Sequence, residues 1–257
     1  MKIGIFVRED LDIDEDISTL LISKISEFDL DFDMDNPDVV IFVGGDGTLL
    51  RAVHEYIDHI ENISFVGINK GSLGFACDYD FEEIDDLFAD IVNNNFNKLS
   101  LNLLQGRLEN ETIYALNEIR IENPFHTLIS EVYIDDEYLE NFKGNGLTIS
   151  SSFGSSAYNK SLGGAIVNPE IPTLQLTENA PINSRVYHSL NSSLILDDSK
   201  SITLSGDFSE AVIGFDHLTI QKENLSKIEV SISNKSINVI YKKSHSFYRQ
   251  INKAFIR

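Results

Sequence analysis

The stretch Asp38-Val39-Val40-Ile41-Phe42-Val43-Gly44-Gly45-Asp46-Gly47-Thr48-Leu49-Leu50 constrains this chain more than any other. A β-branched apolar run stops at three glycines around one carboxylate. A helical pattern follows, with Leu49, Leu50, Val53, Tyr56 and Ile57 on one face. The pattern reads as a buried strand, a tight loop and a helix N-terminus. Glycine lets the backbone adopt positive φ and approach a ligand closely, and the N–H groups that open a helix favour an anion. A single Asp there cannot bind phosphate, but it can take a proton from a nucleophile or face a metal that bridges phosphates. Phosphoryl transfer at Asp46 is one reading. A plain turn is the other, since Asp-Gly is a frequent turn dipeptide. The loop is neither a Rossmann Gly-x-Gly-x-x-Gly nor a P-loop, because no Gly-Lys-Ser/Thr follows.

Further residues must decide, and composition narrows the field first. A chain of 257 residues forms one large domain or two smaller ones with real cores. It has no apolar run long enough for a membrane helix, and Met1–Val7 is too short for a signal peptide and reads as a first strand. Cys77 is the only cysteine, which rules out a disulfide framework or a cysteine-rich zinc site within one chain and fits a reducing cytoplasm. The formal charge of −21 argues against nucleic acid and against anionic membrane as partners, both of which need a basic face. Acidic runs at 9–16, 29–38 and 78–90 read as solvated loops and a helix face.

The order of elements suggests two parts. Strands at 2–7, 38–43 and 63–68 alternate with helices at 17–28, 48–58 and 80–94. This predicts an α/β N-terminal domain over residues 1–98 with a parallel sheet and ligands at the carboxyl ends of its strands. Short, closely spaced strands follow at 101–104, 113–116, 118–121, 131–134, 146–149, 194–196, 201–204, 211–213 and 237–241. They predict an all-β, antiparallel sandwich-like C-terminal domain over 99–245, with a helical tail at 246–257 returning to the first domain. A cleft between two unlike domains is a usual place for a ligand.

Two further constellations carry chemistry. Gly144-Asn145-Gly146 precedes a strand, and Gly154-Ser155-Ser156-Ala157-Tyr158-Asn159-Lys160-Ser161-Leu162-Gly163-Gly164-Ala165 follows it. Small residues let a ligand lie against backbone, hydroxyls and free N–H groups bond ribose and phosphate oxygens, and Tyr158 offers a ring face or a hydroxyl. Leu162, Ala165, Ile166 and Val167 lie so close to these glycines that an ordered segment is expected rather than a flexible linker. Asn117-Glu118 sits between two apolar stretches, where Asn can donate and accept and Glu can take two ribose hydroxyls. By itself it reads first as an ordinary strand-edge polar pair.

Taken together these pieces resemble the NAD kinase family. Gly44-Gly45-Asp46-Gly47-Thr48 is similar to its GGDGT loop, Asn117-Glu118 to its Asn-Glu pair, residues 144–165 to its glycine-rich segment, and Gly67–Phe75 to a fourth stretch. The resemblance implies transfer of the ATP γ-phosphoryl group to the 2′-hydroxyl of the adenosine ribose of NAD, giving NADP. It also implies Mg²⁺ or another divalent cation arriving with ATP, a homodimer or homotetramer, and a cytoplasmic protein that needs neither membrane nor nucleic acid. Asp46 would be the base. Asn117 and Glu118 would hold a ribose, with Gly47, Leu50 and Phe75 lining the pocket. Ser156, Ala157, Tyr158 and Ser161 would contact the dinucleotide, with Lys143, Asn145, Ala180 and Ile182 close by. Gly44, Gly45 and Thr48 would face phosphate, and His217 would lie near it.

Three positions depart from the family pattern. Asn145 stands where an Asp is usual and Lys143 where Arg is frequent. Phe153 replaces a small hydroxyl residue. A GGDGT-type lipid kinase and a non-catalytic NAD(P)-binding sensor derived from a kinase are the competing readings. Membrane pelleting separates out the first, and binding without turnover the second.

Overall fold

Strand Val39–Val43 is buried along its whole length, as a strand must be when both faces of its sheet are covered. Full burial of each such side chain contributes on the order of 2 kcal/mol relative to exposure. The computed structural model describes residues 1–7, 15–69 and 74–256. Most of the acidic run at 9–16 and the Lys70–Leu73 part of the fourth family stretch lie outside them. In chain order the first elements are β1 (Lys2–Val7), α1 (Glu15–Glu27), β2 (Asp31–Phe32), β3 (Val39–Val43), α2 (Asp46–Glu55), β4 (Ser64–Asn69), β5 (Cys77–Asp80) and α3 (Ile84–Val92). Then come β6 (Phe96–Arg107), β7 (Thr112–Ala115), β8 (Glu118–Glu122), β9 (Leu128–Ile134), β10 (Glu137–Gly144), β11 (Gly146–Ser151), α4 (Tyr158–Ser161) and β12 (Thr173–Asn179). The last are β13 (Leu194–Asp197), β14 (Ser201–Ser205), β15 (Val212–Phe215), β16 (Leu218–Ile220), β17 (Lys227–Lys242) and α5 (Phe247–Phe255).

The chain divides into two units, one comprising residues 1–100 with 236–257 and the other 101–235. In the first, β2, β1, β3 and β4 pair in that order, all parallel. The free edge of β4 is shared by the end of β17 at Ser64–Phe65 and by β5 at Gly67–Asn69, again parallel. Val39, Ile41 and Val43 join a core with Leu21 and Ile25 of α1 and Leu87, Phe88 and Ile91 of α3. Period-two alternation turns Val40 and Phe42 to the opposite face. The expected helix at 48–58 begins at Asp46, because Thr48 and Leu49 N–H already bond the Gly45 carbonyl, and ends at Glu55. The expected helix at 80–94 opens as a 3₁₀ turn over Phe81–Glu83, locked by a reciprocal Asp80–Glu83 capping box.

The second unit holds two antiparallel layers. One runs β13-β12-β11-β8-β15-β16, and the other contains β10-β9-β14 and the first part of β17. Their facing side chains make one core, with Ile119, Ile149, Leu176 and Ile213 from the first layer and Val132, Leu204 and Val230 from the second. That is the sandwich expected of short alternating strands. β12 escaped the sequence reading because Gln175, Thr177 and Glu178 interrupt its apolar residues, yet all three are buried and hydrogen-bonded. β17 is longer than the strand expected at 237–241.

Candidate functional site

The glycine loop closes on itself by backbone geometry. Gly44 has φ +146, and a Cβ there would lie 2.2 Å from Thr48 Oγ1, so only glycine fits ahead of the buried Thr48. Gly45 precedes α2 and Asp46 is its first residue, which places one carboxylate at a helix N-terminus at the carboxyl end of β3. Asp46 Oδ2 accepts the Phe75 N–H at 3.0 Å and Oδ1 accepts the Ala76 N–H at 2.9 Å. Burial pushes this carboxyl above its ordinary value, and those two donors pull against it. A carboxylate so held can accept a proton from a hydroxyl brought against it. Around Gly47 the space where a side chain would sit is open, and Leu50 is buried on α2. Ala76 and Cys77, whose thiol donates to the Gly44 carbonyl at 3.2 Å, were absent from the sequence candidates. Asp78, read there as a solvated charge, is half-buried and bonded to His245 Nδ1 at 2.7 Å.

In the second unit, Asn117 and Glu118 form the corner between β7 and β8. Both are buried, and Asn117 Oδ1 and Glu118 Oε2 have no hydrogen-bond partner among the described residues. The Asp216 carboxylate fixes the corner by accepting the N–H groups of Leu116 and Asn117 at 2.8 and 2.7 Å. Gly154 packs against it so closely that a Cβ would lie 2.1 Å from the Asn117 carbonyl oxygen. Burial, reinforced by the neighbouring Asp216 and opposed by Arg120, pushes Glu118 up to about 7.

Along β8, residues 118, 120 and 122 share a face, and Arg120 bridges its two neighbours, Glu118 at 3.1 Å and Glu122 at 3.1 Å. Glu122 accepts the Tyr158 hydroxyl at 2.6 Å and the Asn179 amide at 3.2 Å. Burial and that carboxylate raise the Tyr158 hydroxyl to about 12. Arg120 and Glu122 were missed in the sequence, although the Glu-x-Arg-x-Glu alternation on one strand face was there to be read.

The remaining candidates of the second unit lie on or next to β10, β11, β12, α4 and the β15–β16 turn. The glycine-rich segment is ordered, with a 3₁₀ turn at Phe153–Ser156 and then α4, which carries Tyr158 and Ser161 and is joined to the turn by Ala157. Phe153 is buried in that turn. Asn145 joins β10 to β11, and its backbone bonds Asn179 and Asn123 while its side chain is exposed. The Lys143 carbonyl accepts the Ile182 N–H at 2.7 Å, and its ammonium lies 3.7 Å from the Tyr187 ring centre. Ala180 has φ +46 just past β12. His217 sits beside Asp216 in the β15–β16 turn. Thus Asp216, Asn117 and Glu118 at the corner connect through Arg120 and Glu122 to Tyr158, and Glu122 also reaches Asn179, whose carbonyl accepts the Asn145 N–H.

Residues 12–96 match the model for the ATP-NAD kinase N-terminal domain, and residues 110–241 match that for the ATP-NAD kinase C-terminal domain. This chain belongs to the NAD kinase family. It is 34% identical to the NAD kinase of Leuconostoc mesenteroides, over 100% of this chain and 98% of that protein. It is 40% identical to the NAD kinase of Streptococcus agalactiae serotype Ia, over 86% of this chain and 83% of that one. Two solved structures share the fold. Yeast NADH kinase complexed with NADH matches with TM-score 0.84 at 20% identity, covering 99% of this chain and 87% of that one. An Archaeoglobus fulgidus NAD kinase in complex with ATP matches with TM-score 0.78 at 17% identity, covering 99% and 97%. In this member of the NAD kinase family, Lys143 and Asn145 lie at the β10–β11 junction, and Phe153 adjoins Gly154, which packs on the β7–β8 corner.

Proposed function

We propose that this protein transfers the γ-phosphoryl group of ATP to the 2′-hydroxyl of the adenosine ribose of NAD, yielding NADP and ADP. The observation that carries this reading is the pair of buried, unpartnered acceptors, Asn117 Oδ1 and Glu118 Oε2, at one rigid corner. An acceptor buried without a donor loses free energy, and the hydroxyls of a ribose supply the donors. Asp46 takes the proton of the attacking hydroxyl as the new O–P bond forms and the bond to the ADP oxygen breaks. Its raised affinity for a proton, with both oxygens oriented by backbone N–H groups, supports that role.

Among the described residues no group of three or more His, Cys, Asp or Glu side chains is arranged as a metal cage. The divalent cation of this reading would enter on the phosphates of ATP and would neutralise charge that develops in the transfer. Tyr158, Ser156, Ala157 and Ser161 contact the dinucleotide, as do Lys143, Asn145, Ala180 and Ile182. Gly44, Gly45 and Thr48 face phosphate. No helix among the described residues is long and apolar enough to cross a membrane, and a cytoplasmic homodimer or homotetramer completes the reading.

The test is NADP formation from NAD and Mg-ATP by the purified protein, read with an NADP-specific dehydrogenase. Turnover supports the reading. NAD binding by calorimetry without turnover overturns it in favour of a sensor.

A further inference from the structure

The Asp46 carboxylate owes its orientation to a two-residue stretch far from it in sequence, and the C-terminal end of the chain holds that stretch. Phe75 N–H and Ala76 N–H grip its two oxygens. The buried Tyr241, near the end of β17, donates its hydroxyl to the Phe75 carbonyl oxygen at 3.2 Å. That carbonyl and the Ala76 N–H belong to one planar peptide unit, so pinning the oxygen fixes the direction in which the N–H points. The result is a relay in which O–H donates to C=O and the same peptide's N–H donates to the carboxylate, each bond polarising the next.

Neighbouring contacts reinforce it. The Phe75 ring packs against Phe247 and Phe255 of α5 at 6.3 and 5.5 Å, residues two turns apart on one helix face. The His245 ring lies 3.9 Å from that of Tyr241, and Asp78 accepts the Lys242 N–H at 3.2 Å.

We propose that Tyr241 is a positioning residue for phosphoryl transfer, anchoring the Phe75–Ala76 peptide so that its N–H stays aimed at Asp46. The proposal rests on the reading of Asp46 as the base. Phe247 and Phe255 serve the same end by holding the Phe75 ring, which assigns the C-terminal helix a part in the chemistry although it carries none of the family motifs.

The experiment compares Tyr241→Phe with Tyr79→Phe. Tyr79 is a matched control: it is buried on β5 and its hydroxyl donates to Asp90 at 2.9 Å rather than to the stretch that grips Asp46. Tyr241→Phe keeps the ring and loses only the anchor. The expected result is a kcat lower by roughly tenfold, since small misplacements of catalytic groups are expensive in rate, with KM for NAD within about twofold. A weaker Ala76 donor also leaves the carboxylate easier to protonate. A base must be unprotonated, so the acid limb of kcat moves to higher pH. Among the described residues, the titratable groups that interact with Asp46 are the Cys77 thiol and the Tyr241 hydroxyl, both kept protonated by burial, so neither titrates in that window.

Tyr79→Phe is expected to lower Tm comparably and leave kcat and the limb unchanged. A Tyr241→Phe enzyme with wild-type kcat and acid limb overturns the proposal, as does an equal kcat loss in both variants with no limb movement. Turnover surviving in Asp46→Asn instead overturns the base reading, so the two failures are distinct. If Tyr241→Phe does not fold, Phe255→Leu at the partly exposed end of α5 reads the same relation, and an unmoved limb there overturns it.

Discussion

Asp216 accepts the backbone N–H of Asn117 at 2.7 Å across a sequence separation of 99 residues. With the matching bond from Leu116 it is a two-pronged clamp on the corner that presents Asn117 and Glu118. Asp216→Ala leaves two buried N–H groups unpaired, which costs about 2–6 kcal/mol of stability. Because the corner loosens, KM for NAD is expected to rise more than kcat falls. Chemical denaturation and steady-state kinetics on the same preparation check both parts, and an unchanged KM contradicts the clamp.

Asp46→Asn is close to isosteric and retains one oxygen for the backbone donors, so the fold is expected to survive. Losing the base lowers kcat by at least about 100-fold, the low end of acid–base contributions. Near-wild-type NADP formation by this variant removes Asp46 as the base.

Glu118 gives the apo protein a pH signature. Its folded value of about 7 lies above that of an unfolded glutamate, so between the two the native state holds a proton that the unfolded chain has released. Its contribution to stability is full below the ordinary glutamate value and is lost as pH rises through about 7. Burial and the nearby Glu178 raise Glu140 to about 7 as well, so the wild-type trend alone is ambiguous. The difference between wild type and Glu118→Gln isolates the group. Urea midpoints at pH 5 and 8 are expected to fall less in the variant, and equal falls exclude Glu118 as the source.

Asn145 spends its backbone on strand-joining bonds and exposes its side chain. Asn145→Asp is therefore expected to move KM for NAD while shifting Tm by no more than a couple of degrees, the usual effect of a surface change. An unchanged KM means that this side chain does not contact the dinucleotide.

The local parts of the site were legible because their physics is local. A β-branched run read as a buried strand, a glycine cluster as a tight loop, and alternating short strands as a sandwich. What escaped were groups whose role depends on a distant partner. Glu122 gains meaning only through the Tyr158 hydroxyl and the Asn179 amide. Asp78, apparently one charge in an acidic run, is half-buried against His245. β12 stayed hidden because its polar side chains are satisfied by partners that sequence periodicity does not report.

From the sequence alone come the strand–loop–helix around Asp46, the Asn117–Glu118 pair, the two-part organisation and the resemblance to NAD kinases. The first three follow from residue type and pattern, whereas the resemblance rests on four segments taken together along the chain. Tertiary structure decided which atoms are already satisfied and which are not: that Phe75 and Ala76 grip Asp46, that Asp216 holds the corner, and that Tyr241 pins the peptide behind the carboxylate. Hydrogen bonds and burial between residues 29 to 166 positions apart set the charge and aim of a carboxylate, and no local pattern in the chain encodes them.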